Sequence, residues 1–158
     1  MRPKQGFTLI EMMVTLAVAG IFLAIAAVNL RVPSATLMSN DLQAFIYQAR
    51  LQAVKHNRPV AVVWNAANKT FSMRYNSGSG ATLANTCTST TILQTKSTDD
   101  YRNISFSGDL STNSLVWLPS GLLSTCNGPA TTPFSYVISD GKHTRTLIAS
   151  LAGKIEIQ

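Results

Sequence analysis

Histidine, cysteine and acidic side chains are scarce in this chain. Its 158 residues include two histidines, two cysteines and seven acids. No H-E-x-x-H, C-x-x-C or His–Cys spacing occurs around His56, His143, Cys87 or Cys126. That excludes the usual zinc sites. No G-x-S-x-G and no P-loop is present either, so the chain lacks both a serine elbow and a glycine cradle for phosphate. The paired carboxylates Asp99-Asp100 precede Tyr101-Arg102 and read as a solvated turn. There is no internal repeat and no low-complexity linker. The expectation is a chain that is no enzyme and needs no cofactor or metal.

Charge is also thin. Only 13% of residues are charged, with a formal net charge of +6. Ser, Thr and Asn dominate the downstream surface, which suits an exported protein. The excess Lys and Arg are scattered, so basicity alone points to solvated side chains rather than to nucleic acid. Asn68-Lys-Thr70 and Asn103-Ile-Ser105 match the glycosylation acceptor pattern, a weak signal here. The length fits one domain.

What the sequence does have is a long apolar run behind a short basic leader. The leader is Met-Arg-Pro-Lys-Gln-Gly, followed by Phe7-Thr-Leu-Ile-Glu11, and from Met12 to Leu30 there is no charge. A secretory signal has an apolar core of about 7–15 residues and a small-residue cleavage site beyond it. This run is longer, and Ala24-Ile-Ala-Ala27 is a poor cleavage site. It reads as a transmembrane helix, with Arg2 and Lys4 holding its start in the cytoplasm. Glu11 is the anomaly. A lone carboxylate in hydrocarbon costs about 2.5–3.5 kcal/mol on insertion scales. Either it sits at headgroup level and complements the helix dipole, or a neighbouring chain supplies a positive partner. The residues alone leave both open.

Gly6-Phe7-Thr8-Leu9-Ile10-Glu11 resembles the leader junction of type IV pilins and type II secretion pseudopilins. The resemblance implies cutting after Gly6 by a prepilin peptidase and N-methylation of Phe7 by the same class of enzyme. It also implies that Glu11 pairs with the N-terminal amine of a neighbouring subunit during filament assembly. One departure stands out. Many pilins carry a proline near the end of the apolar run, where this chain has Val28-Asn29. Its nearest proline is Pro33.

Beyond Pro33 a second helical pattern begins at Ser34. Met38, Leu42, Phe45, Ala49 and Ala53 form one apolar stripe, with Asp41, Gln48, Gln52 and Lys55 off it. The stripe is the expected seam between helix and sheet. Asn57 and Pro59 end it. An unbroken helix from Phe7 to His56 would reach roughly 75 Å. Val60–Trp64 and Thr70–Tyr75 read as a hairpin across Asn65–Lys69. Residues 76–98 read as an irregular excursion with a short strand at Thr91–Gln94. Strands are expected at Ile104–Ser107 and Ser114–Leu118, then a loop over Pro119–Pro133. Phe134–Ser139 and Arg145–Ser150 form a hairpin across Asp140-Gly141, and Lys154–Ile157 is a last strand.

One long helix and about seven short strands give an α+β fold. The pilin resemblance implies a helix packed on an antiparallel β-sheet head. The expected domains are a leader over 1–6, a membrane and filament-core helix over 7–30, and a head over 31–158. In an exported protein, two cysteines argue for one disulfide, Cys87–Cys126, in settings that read as exposed.

The second half narrows the resemblance. Ala49-Arg50-Leu-Gln-Ala53 and the basic residues running to Pro59-Val60 resemble the GspH/FimT branch, as does the C-terminal Ala152-Gly153-Lys-Ile-Glu-Ile. This branch holds FimT/FimU-like minor pilins and GspH-like pseudopilins. The resemblance implies a minor pilin that assembles with other pilin subunits, waits in the inner membrane with its head in the periplasm, and enters or primes a pilus. A pseudopilin of type II secretion is the alternative. Some FimT-like pilins bind DNA through a C-terminal Gly-Arg-x-Arg. Here Gly153, Lys154, Ile155 and Glu156 occupy those positions, so one cation is kept and one is reversed, which weakens phosphate binding. A substitute patch of Lys142, Arg145 and Lys154, with His143 beside it, is the candidate DNA surface. Its alternative is a charged hairpin tip that keeps a sheet edge soluble.

Overall fold

The computed structural model describes residues 8–29, 32–78, 82–109 and 114–158. The chain divides into two compact units, residues 1–32 and 33–158. The first contains α1, Leu9–Asn29. The second begins with α2, Ser34–His56. The single long helix is thus two described helices, and Pro33 immediately precedes the second. Its ring cannot donate a backbone hydrogen bond, and its carbonyl accepts from Thr36 and Leu37 instead.

The head is built on α2. Met38, Leu42, Phe45, Ala49 and Ala53 are all buried, as the spacing predicts, and Ala35 and Ile46 join them. Asn57 closes the helix in the left-handed conformation, at φ 48°. The Arg58 amide then donates to Ala53 and the Asn57 amide to Val54, the paired bonds of a Schellman end.

Two antiparallel sheets lie against this helix. The strands are β1 Val60–Asn65, β2 Thr70–Tyr75, β3 Ile92–Ser97, β4 Ser105–Gly108, β5 Leu115–Trp117, β6 Leu123–Thr125, β7 Gly128–Pro129, β8 Phe134–Ser139, β9 Thr144–Ala149 and β10 Ile155–Ile157. Six form one sheet in the order β3-β2-β1-β5-β6-β7, and four form the other in the order β10-β9-β8-β4. Both hairpins expected from the sequence are present, with Val60 opposite Tyr75 and Phe134 opposite Ala149. The expected strands around Gly108 separate: β4 pairs with β8 in one sheet and β5 with β1 in the other. Phe134, Tyr136 and Ile138 alternate inward along β8, the period-two burial of a one-sided strand. β1 is covered on both faces. Val60 and Val62 join the core under α2, while Ala61 packs with Cys87 and Val116 behind it.

Two expected loops contain structure. The excursion before β3 holds α3, Leu83–Thr88. Thr82 caps it, its hydroxyl accepting from the Asn85 amide at 3.2 Å. The stretch read as a loop from Pro119 to Pro133 holds β6 and β7. There the Ser124 and Thr125 hydroxyls both donate to the Gly128 carbonyl, at 2.7 and 2.9 Å. Short polar hydroxyl residues build both elements through local side-chain bonds, which hydrophobic periodicity does not register. The disulfide Cys87–Cys126 is formed, with Cα atoms 5.9 Å apart. Cys87 is buried rather than exposed. The bridge holds α3 to the β6–β7 turn across a separation of 39 residues, worth about 4 kcal/mol in the loop-entropy model.

A polar cluster fastens the outer flank of α2. Lys96 Nζ lies 2.8 Å from Asp41 Oδ2, and the Tyr101 hydroxyl donates to the same oxygen. The Lys96 bond, then the Tyr101 bond, holds the Asp41 carboxyl below its ordinary range, and Asp41 in turn raises Lys96. These groups remain solvated, so the gain is small.

Candidate functional site

α1 is apolar along its length, and every described side chain from Thr8 to Ala26 is exposed. Leu9–Ala26 is long and apolar enough to cross a membrane. Glu11 is the acid of its first turn. The Glu11 amide donates to the Thr8 hydroxyl at 3.3 Å and to the Thr8 carbonyl at 3.1 Å. Thr8-Leu9-Ile10-Glu11 thus has the T-x-x-E spacing of a capping box. The bonds use the Glu11 backbone amide, so they account for the helix start and not for the acid at position 11. The processing residues Gly6 and Phe7 lie outside the described residues.

The second motif, Ala49-Arg50, has a definite packing role. Arg50 Cζ sits 5.3 Å from the centre of the Trp117 ring, and Nη1 donates to the Gly153 carbonyl at 3.3 Å. A planar guanidinium can lie over the ring and donate to the carbonyl at the same time, which a lysine ammonium is less suited to do. Trp117 is fully buried, and its Nε1 has no acceptor among the described residues. Gly153 closes the cluster at φ +88°. A Cβ there would stand 3.0 Å from both the Gly121 carbonyl oxygen and Trp117 Cζ3, and 3.1 Å from Arg50 Cζ. Gly153, read from the sequence as part of a DNA motif, is the glycine that lets β10 approach α2. Gln43 extends the same flank, donating to the Ile155 carbonyl at 3.1 Å.

The candidate DNA residues do not converge. Lys142 and Arg145 lie on the β8–β9 hairpin, exposed. Lys154 precedes β10, whose Ile155 pairs with Ala149 at the far end of β9. About five residues of strand separate it from Arg145, roughly 17 Å. Lys154 is also ion-paired with Glu156. Arg145 is engaged as well, its Nε donating to Thr36 Oγ1 at 3.2 Å.

That contact belongs to a clamp on the first turn of α2. Pro33 has no capping side chain, and the cap is supplied from the hairpin. Asp140 Oδ2 accepts from the Ala35 amide at 3.3 Å. Its Oδ1 accepts from the amides of His143 and Lys142, at 2.8 and 3.0 Å. These bonds, His143 first, then Lys142 and Ala35, draw the Asp140 carboxyl down to about 2 from an ordinary 3.8.

Two family models match the chain. One is the prokaryotic N-terminal methylation motif, over residues 1–27, and the other is the type II transport protein GspH, over residues 38–153. No curated protein matches it. Among solved structures, the fold is similar to the type IV minor pilin FimU of Pseudomonas aeruginosa (strain PAO1). The TM-score is 0.58 at 20% identity, over 76% of this chain and 84% of that one. It is also similar to the minor pseudopilin EpsH from the type 2 secretion system of Vibrio cholerae. There the TM-score is 0.54 at 11% identity, over 79% of this chain and 96% of that one.

Two outcomes follow. Gly153→Val should lower stability by about 1–3 kcal/mol through strain and overpacking, read by denaturant unfolding of the full chain in detergent. An unchanged midpoint would contradict the tight Arg50–Trp117–Gly153 packing. The Asp140 contribution should be fully present above about pH 4, the unfolded carboxyl value, and be lost as pH falls toward 2. Asp140→Asn should flatten the stability profile in that window and leave its shape at neutral pH unchanged. An identical acid limb in both proteins would remove the charged cap from the account.

Proposed function

The chain belongs to the GspH family of type IV pilin-like subunits, and from that premise we propose that it is a minor pilin of a type IV pilus. Residues 1–6 are the leader, 7–30 the membrane and filament-core helix, and 31–158 the head. Prepilin peptidase cuts after Gly6 on the cytoplasmic side, and the new N-terminus at Phe7 is methylated. Before assembly the subunit is held in the inner membrane with its head in the periplasm. Its partners are other pilin subunits. The role is structural rather than catalytic.

One observation carries the filament-subunit reading: a single acid, Glu11, stands in the first turn of an otherwise uncharged apolar helix whose described side chains to Ala26 are all exposed. A carboxylate so placed is costly in a bilayer. Pairing with the N-terminal amine of an adjacent subunit removes the cost, so filament entry is favoured by the same residue that destabilises the waiting state. The capping contact to Thr8 fits this role, because it uses the Glu11 backbone amide and leaves the carboxylate for a partner.

A second reading is a minor pseudopilin of type II secretion. The match to the type II transport protein GspH and the likeness to the Vibrio cholerae subunit favour it. Both machines use the same helix logic, and the neighbouring genes distinguish them: other minor pilin genes or a secretion operon.

Glu11→Ala should leave the protein processed and membrane-bound but reduce its share in sheared filaments about tenfold, equivalent to ~1.4 kcal/mol of lost pairing. Immunoblots of membrane and filament fractions read both quantities. Normal incorporation would contradict the pairing role.

A further inference from the structure

We propose that the β8–β9 hairpin tip is a docking surface for anionic phospholipid headgroups, used while the subunit waits in the membrane. The inference rests on the membrane-anchored reading above. The tip sits at the end of the head where the chain enters it. Asp140 holds the Ala35 amide and Arg145 holds Thr36, so residues 140–145 are fastened to the first turn of α2. That turn is the first part of the head that the chain reaches after the apolar helix.

The chemistry of the tip is that of a membrane-facing surface. Lys142, His143 and Arg145 are all exposed. The one acid among them, Asp140, is turned inward, with its side chain only 10% exposed. Its carboxylate accepts from the amides of Ala35, Lys142 and His143 and lies 3.5 Å from His143 Nδ1, which leaves Lys142 and Arg145 as the cations of the tip. What faces outward is therefore cationic. An exposed apolar residue, Leu37, 45% exposed, follows Thr36 on the same turn. Long basic side chains beside apolar ones match the layered chemistry of a bilayer interface. The opposite end of α2 also carries basic residues, Lys55 and Arg58. It lies about 34 Å further along the helix, and Arg58 there is occupied with the carbonyls of Asn76 and Gly78.

The test is hydrogen exchange on the full chain in nanodiscs of phosphatidylcholine alone, or of phosphatidylcholine mixed with phosphatidylglycerol. Amides of 139–145 should exchange about tenfold more slowly with the anionic lipid, and the difference should vanish at about 0.5 M salt. Lys142→Glu should abolish the slowing, Lys142→Arg should keep it, and Lys55→Glu should leave it intact. Equal exchange in both lipids overturns the proposal. So does slowing by duplex DNA, but not by phosphatidylglycerol. Amides of 9–26 report separately on insertion. If they are protected in both discs while the tip is indifferent, only this inference fails. If they are protected in neither, the membrane-anchored reading fails with it.

Discussion

Two sheets that share no strand pairing have to be closed over one helix. The face of α2 that carries Ala35, Met38, Leu42, Phe45, Ile46, Ala49 and Ala53 meets that requirement, since each of these residues is withdrawn from water. Polar contacts on both flanks then fix the helix in place: Asp41 with Lys96 and Tyr101 on one side, Gln43 and Arg50 with the backbone of the β10 region on the other. Asp140 fixes its start and Asn57 its end. Small residues matter as much as large ones here. Ala49 and Ala53 leave room for the sheet, and Gly153 leaves room for Arg50 and Trp117.

This arrangement gives the family resemblance a physical basis. The Ala-Arg of the helix is a packing pair, with alanine turned to the core and arginine laid over Trp117. The C-terminal glycine is held at a positive φ by the same cluster. Every described side chain of α1 to Ala26 is exposed. Such a helix is long and apolar enough to cross a membrane.

Much of this was legible in the sequence because it is periodic or punctuated. The α2 stripe, the left-handed end at Asn57 and the two hairpins across Asn65 and Asp140 all follow from spacing and turn chemistry. The parts that were not legible depend on bonds between distant segments. Nothing near Ala35 announces that its amide is held by an aspartate 105 residues away. Nothing near Leu115 assigns it to a different sheet from Ser107. Short elements such as α3 and β6 are made by Thr and Ser hydroxyls and carry no apolar pattern. The basic residues were visible one by one, but the distance between Lys142 and Lys154 is set by the register of β9 against β10. The Thr8–Glu11 capping spacing could have been found and was overshadowed by the charge of Glu11.

The account turns on where the Glu11 carboxylate goes. Filaments assembled from a mixture of isotopically light and heavy subunits can be treated with a zero-length carbodiimide cross-linker and digested. The predicted product is a peptide pair joining the Glu11 carboxylate of this chain to the N-terminal amine of a neighbouring pilin subunit, with mixed isotope labels wherever that neighbour is a second copy. Filaments that contain the subunit but yield Glu11 joined to no other subunit's N-terminal amine, or joined only within its own chain, would contradict the pairing role.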